Sequence, residues 1–311
     1  MRIGFITQLH WNRYGDFWQN IIRDTGAELV FANKEEILAN LKDERLENID
    51  NLIFKIAAAE AIALKDVDLI IAPDLNQYKE IAKGGGQDPW LANFPKTLQT
   101  VVKGLAKVYG VASQQTPNTQ EKAIELLMAL SHSPGVSKQI LSEHLAKLKP
   151  QDADIRHIDK YRDVKALVGQ AWLVESFAEL ANSDFDLIKQ TSIAPQILKD
   201  EAARHDKLID TDAEVLGACY LFGRKAAINK ILFIADKNSS NDLWLNRRAK
   251  KIIHKDFETI FIQDLLNDED LIIELITEPN NLMPTILLEE NEEIEKQENE
   301  DDASDNYSQP A

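Results

Sequence analysis

Five polar side chains stand close together near the start of the chain: His10, Asn12, Arg13, Tyr14 and Asp16. Arginine and histidine can hold an anion, and Asn, Tyr and Asp can fix the hydrogen bonding of a polar ligand. A helix beginning just after them would add its N-terminal amides to an anion site. Two other groups are able to join them. Asp74 follows an apolar run and is positioned to orient a ligand hydroxyl. Gly84, Gly85 and Gly86, with Asp88 close by, form a turn whose bare backbone could approach a phosphate. That turn lacks the Lys-Ser ending of a phosphate-binding loop and does not directly follow a strand, so it fits a flexible lid better. Gly4 and Gly15 are too far apart for a dinucleotide fingerprint. The competing view of the opening stretch is structural, with Trp11, Tyr14 and Trp18 packing the domain while His10 and Arg13 are solvated. No complete catalytic constellation is present, so the catalytic residues are unknown at this stage.

The elements around these residues explain why they matter. Arg2 to Thr7 is a short apolar strand, residues 8–16 read as a polar and aromatic loop, and Phe17 to Thr25 reads as a helix closed by Gly26. Glu28 to Ala32 is the next strand. Lys34 to Leu46 is polar and helix-prone, Ile49 to Leu64 is an alanine-rich helix, and Val67 to Ala72 is a buried-type strand ended by Pro73. Lys107 to Ala112 adds another strand. Such alternation predicts a parallel sheet with helices on its faces, and ligands in such sheets gather beyond the carboxyl ends of the strands.

The middle reads as helical throughout. Thr119 to Leu130, Val136 to Leu148, a long helix over 157–181 around Trp172 and Phe177, and residues 186–210 interrupted by Pro195 are all predicted helices. A second alternation follows: a helix over 212–222, a strand over 230–236, a cap-rich loop, a helix over 243–253 and a strand over 257–262. Residues 271–276 and 282–288 are apolar pieces of either type. The expected fold is α/β. Two Rossmann-like parallel-sheet regions, 1–115 and 211–288, are joined by a helical segment over 116–210, and a disordered acidic tail covers 289–311.

Net charge is −17, of which residues 289–311 contribute −9. An acidic body argues against general nucleic-acid binding, which needs a basic face. The cluster Arg247, Arg248, Lys250 and Lys251 fits the solvated turns of a helix. A single cysteine, Cys219, excludes intrachain disulfides and a cysteine-ligated cluster built by this chain alone; its apolar neighbours point to a buried structural thiol. The histidines 132, 144, 157, 205 and 254 stand at no metal-ligand spacing. Asp236, Asn238 and Asp242 offer carboxylates without a full ligand set, and Asp242 is placed to cap the helix after it, so no metal is expected. No secretory signal pattern or run of membrane-spanning length occurs, and the expected location is cytoplasmic, with no membrane partner.

The run Arg2-Ile3-Gly4-Phe5-Ile6, then Tyr14-Gly15-Asp16-Phe17-Trp18, then Gly26-Ala27-Glu28-Leu29-Val30 resembles the start of a Rossmann-like domain in D-component-like subunits of the 2-hydroxyacyl-CoA dehydratase family. The resemblance extends through residues 55–73 and is echoed over 234–253. Members of that family hold an iron–sulfur cluster through several cysteines and take an electron from an ATP-driven activator. This chain has no cysteine before Cys219, and one thiol cannot hold a cluster. The resemblance therefore implies a cluster-less, non-catalytic homologue without a cofactor, which binds a small anionic or CoA-like ligand or a partner subunit. Two other functions stay open: an enzyme of unrelated chemistry using the strand-end pocket, and an interaction or scaffold protein acting through its acidic tail.

Overall fold

A computed structural model describes residues 1–75, 89–113, 117–145, 163–181, 187–205, 208 and 210–276. The glycine turn with Asp88, the apolar piece at 282–288 and the acidic tail lie outside the described residues.

The chain opens with β1 (Arg2–Phe5), α1 (Trp11–Arg23), β2 (Glu28–Val30), α2 (Lys34–Asn40), α3 (Leu52–Ala63), β3 (Leu69–Asp74), α4 (Phe94–Val101) and β4 (Lys107–Ala112). The four strands are parallel, in the order β2-β1-β3-β4. A helix pair, α5 (Pro117–Ser131) and α6 (Pro134–Leu145), leads on. Then come β5 (Val164–Val168), α7 (Ala171–Ala181), β6 (Leu187–Lys189), α8 (Pro195–Ala203), α9 (Asp210–Arg224), β7 (Ile228–Ala235), α10 (Ser240–Ile252), β8 (Asp256–Phe261) and α11 (Asp268–Leu275). These strands are also parallel, in the order β6-β5-β7-β8. The protein is thus α/β with two four-stranded parallel sheets, and both sheets use the same connectivity. In each, chain order reverses between the first and third strands, which is where such sheets open a crevice at their carboxyl ends.

Local chemistry fixes the elements. Asn51 starts α3 by accepting the Phe54 amide at 2.9 Å, and alanines let that helix lie close to the sheet. A Cβ built on Gly4 would stand 3.0 Å from Leu64, which measures how near the end of α3 comes to β1. Proline is unusual inside a sheet because it lacks a donor. Pro73 is tolerated because pairing of β1 to β3 stops at Ile71, so Pro73 is paired only with Val111 of β4.

Three boundaries differ from the sequence pattern. The helix predicted from Phe17 begins at Trp11, so Asn12, Arg13, Tyr14 and Asp16 are helical rather than loop residues. Gly15 masked this. It reads as a turn, yet inside α1 it is the only residue that fits, because a Cβ there would lie 2.4 Å from the Trp11 ring. The long helix expected over 157–181 is interrupted by β5, and β6 interrupts the second predicted helical stretch. The second sheet therefore draws two of its four strands from the segment 116–210, and the middle is not all helix. Gly169 marks the true break between β5 and α7: a Cβ there would stand 2.5 Å from the Ile234 carbonyl oxygen. Ser239, not Asp242, is the cap of α10, accepting the Asp242 amide at 3.2 Å.

One apolar cluster runs through both halves. It joins Ile6, Leu9 and Ile53 from the first to Trp172, Phe177, Ile234 and Leu275 from the second. A second cluster fills the space between the β5–β8 sheet and helices α8, α9 and α10, and encloses Cys219. Burial pushes the Cys219 thiol far up from its ordinary pKa, as expected of a structural thiol.

Candidate functional site at the facing strand ends

The loop from β1 to α1 carries Thr7, Gln8 and His10 into the interior. Thr7 donates its amide (2.9 Å) and its hydroxyl (2.7 Å) to Oε1 of Glu60 on α3. The second half repeats the device. Gln170 stands two residues past β5, as Thr7 stands two residues past β1, and its Nε2 reaches Asp212 of α9 at 3.5 Å. In both halves, a carboxylate from the helix before the third strand holds the chain just beyond the first strand.

His10 is the N-cap of α1. Its backbone is left-handed, with φ of 67°, and its side chain makes no cap hydrogen bond. That conformation is uncommon for a residue with a Cβ. The ring is buried, with its centroid 5.3 Å from that of Trp172 in the second half, and neither ring nitrogen has a hydrogen-bond partner. Burial, then the charges of Arg13 and Lys199, hold its pKa well below 6.5, so the imidazole is neutral.

Arg13 is brought to the same place by the first turn of α1. Its Nη1 lies 2.9 Å from Glu214 Oε2 of α9, and the two side chains are 9% and 2% exposed. Lys199 of α8 lies 3.7 Å from Asp210 of α9, also deeply buried. Glu175 of α7 is raised by burial, while Arg13 and a hydrogen bond from Asn12 favour its charged form. The first turn of α1 carries no acidic side chain. A cation there opposes the helix dipole, and Glu214 and Glu175 beside Arg13, with Asp210 beside Lys199, supply the opposing charge.

The other predicted residues have different partners. Tyr14 donates its hydroxyl to the Ile6 carbonyl at 2.6 Å, and Trp18 donates to Ala112 at 2.9 Å, so both pin α1 to the first sheet. Asp16 is exposed and accepts from Gln19 one turn on. Asp74 ends β3 and pairs with Lys122 of α5 at 3.0 Å. Of the opening group, the structure brings His10, Asn12 and Arg13 against the second half, whereas Tyr14 bonds within the first half and Asp16 is exposed. Gly84, Gly85, Gly86 and Asp88 lie outside the described residues.

A cavity of about 20 Å³ sits beside Gln170, Trp172, Asp236, Asp242 and Asn51, enough for one water. A wider groove of about 530 Å³ lies near the opposite ends of β3 and β4, lined by Arg45, Lys65, Asp66 and Leu105. Among the described residues, no three His, Cys, Asp or Glu side chains are grouped to hold a metal ion. Asp236 accepts instead from the Asn238 amide and from Gln263.

No protein-family model matches the chain, and no curated protein sequence matches it. Among solved structures, it is similar at a TM-score of 0.23 and 11% identity to a GTP-binding protein from the hyperthermophilic archaeon Sulfolobus solfataricus in complex with GDP. That match covers 88% of this chain and 97% of the other. A likeness this weak carries no argument about fold or ligand. Among the described residues, no helix is long and apolar enough to cross a membrane.

Lys199, Glu214, Glu175 and Glu60 were not singled out by the sequence pattern, and Trp172 was marked only as a packing residue of a helix. Only Glu60 gave a local signal, as an acid within Ala57-Ala58-Ala59 and Ala61 on a helix that must bury its alanines. The others acquire meaning from the approach of two halves far apart in sequence.

Proposed function

We propose that the protein binds a small anionic molecule at the N-terminus of α1, between the carboxyl ends of the two sheets. One observation carries this reading: the buried His10 imidazole has two unpartnered nitrogens and stands under the charges of Arg13 and Lys199. A buried polar group without a partner costs on the order of 1–3 kcal/mol, so such groups persist where a ligand or a function uses them. The guanidinium of Arg13 offers a planar fork suited to carboxylate or phosphate, and Lys199 adds a point charge. Neutral His10 donates one further hydrogen bond, and the uncapped α1 amides complete the donor set. Kinship with the 2-hydroxyacyl-CoA dehydratase subunits belongs to the same proposal. It is supported by two parallel-sheet halves joined through helices, and its CoA-like ligand would bring phosphate to this site. Cys219 is fully buried and takes no part.

Calorimetric titration with phosphate, pyrophosphate, citrate and coenzyme A tests the reading on the full chain and on His10→Ala. At least one anion is expected to bind the parent chain and to bind His10→Ala at least several-fold more weakly. Heat-free titrations with all four, or equal affinity in His10→Ala, would overturn the proposal.

A further inference from the structure

We infer that the N-terminal end of α9 is a built-in stand-in for the anion, with Glu214 and Asp210 occupying Arg13 and Lys199 until a ligand displaces them. This rests on the anion site proposed above. Asp210 and Glu214 are four residues apart on one helix, so they share a face. They meet cations from two different elements: Glu214 takes Arg13 of α1, and Asp210 takes Lys199 of α8. Asp212, lying between them, has a separate task, accepting from Gln170 and from Asn241 Nδ2 at 2.9 Å.

The exchange conserves charge. An incoming dianion takes over both cations, His10 gains a partner, and the two carboxylates turn away from the site. Leaving a carboxylate buried without its cation is expensive, so the exchange requires that end of α9 to move toward water. The two pairs also differ in reach. Lys199 and Asp210 belong to the same half, whereas Arg13 and Glu214 join opposite halves, 201 residues apart. A ligand that takes Arg13 therefore releases a clamp between the halves, and affinity is held down by the strength of that clamp.

Titration of the full chain with pyrophosphate, compared with Glu214→Gln and with Asp210→Asn/Glu214→Gln, tests this. The amides keep size and hydrogen-bonding capacity but compete weakly for a cation. Circular dichroism melts establish that each variant is folded, and Glu214→Gln alone carries the test if the double variant is not. The dissociation constant is expected to fall by about tenfold or more in the double variant, with Glu214→Gln intermediate. Binding by the parent that is unchanged or weakened in folded variants overturns the stand-in and leaves the anion site standing. Absence of binding by parent and variants alike overturns both.

Discussion

Replacing Glu60 with Gln is expected to stabilise the protein at neutral pH while doing little in acid. The Glu60 side chain is fully buried, and burial lifts its pKa from 4.5 to about 7 despite hydrogen bonds from Thr7 and Gln8 that favour the charged form. Its Oε2 has no partner. The folded state therefore binds the Glu60 proton more tightly than the unfolded chain does. Below pH 4.5 both states are protonated and the group has no pH-linked effect. As pH rises the unfolded carboxyl ionises first, and stability falls until the folded carboxyl also ionises near pH 7. A shift from 4.5 to about 7 corresponds to about 3 kcal/mol at roughly 1.4 kcal/mol per unit. Gln keeps an acceptor for Thr7 and removes the titration. Urea unfolding of both proteins at pH 5 and pH 8 reads the difference. Glu60→Gln should gain about 2–3 kcal/mol over the parent on moving from pH 5 to pH 8. A difference between the two proteins that is the same at both pH values would refute the reasoning.

His10 acts in the opposite sense. Its native pKa is depressed, so its contribution is complete above the unfolded value of 6.5 and is lost as pH falls below it. His10→Leu should lose less stability than the parent between pH 7.5 and pH 5.5, and parallel unfolding curves would count against a buried neutral imidazole. A Cβ on Gly217 would stand 1.9 Å from the Leu198 carbonyl oxygen, so Gly217→Ala must push α8 and α9 apart, at about 3 kcal/mol by urea midpoint. Gly223, in the same helix, has open space at its Cβ, and Gly223→Ala should be neutral or gain up to about 1 kcal/mol. Arg13→Ala strands the buried Glu214 charge and is expected to cost about 3–5 kcal/mol. Lys122→Ala breaks a half-solvated pair with Asp74 and should cost under about 1 kcal/mol in the same assay.

Strand–helix alternation was legible wherever a strand is apolar and bounded by turn residues, as at residues 2–7, 67–72, 107–112 and 230–236. It failed at Val164 to Val168. That strand is separated from the apolar face of α7 by only Gly169 and Gln170, and nothing local distinguishes one long helix from strand, tight turn and helix. Only the close approach of Ile234 makes glycine necessary there, and that contact is non-local. The site divided in the same way. His10 and Arg13 were visible because they sit at a strand end rich in polar residues. Their partners on α7, α8 and α9 read as ordinary helix charges until the second sheet is set against the first. The start of α1 was missed because Gly15 is a turn former by composition and a packing residue by geometry.

The apolar cluster shared by the two sheets has a consequence for how the chain is made. Ile6, Leu9 and Ile53 leave the ribosome early, but the side chains that cover them, from Trp172 to Phe177 and later Leu275, follow more than a hundred residues behind. The first sheet can pair its strands as it emerges, since all four lie within residues 2–112. Its strand-end surface must stay uncovered until the second half arrives, which exposes the nascent chain to aggregation or chaperone capture during that interval.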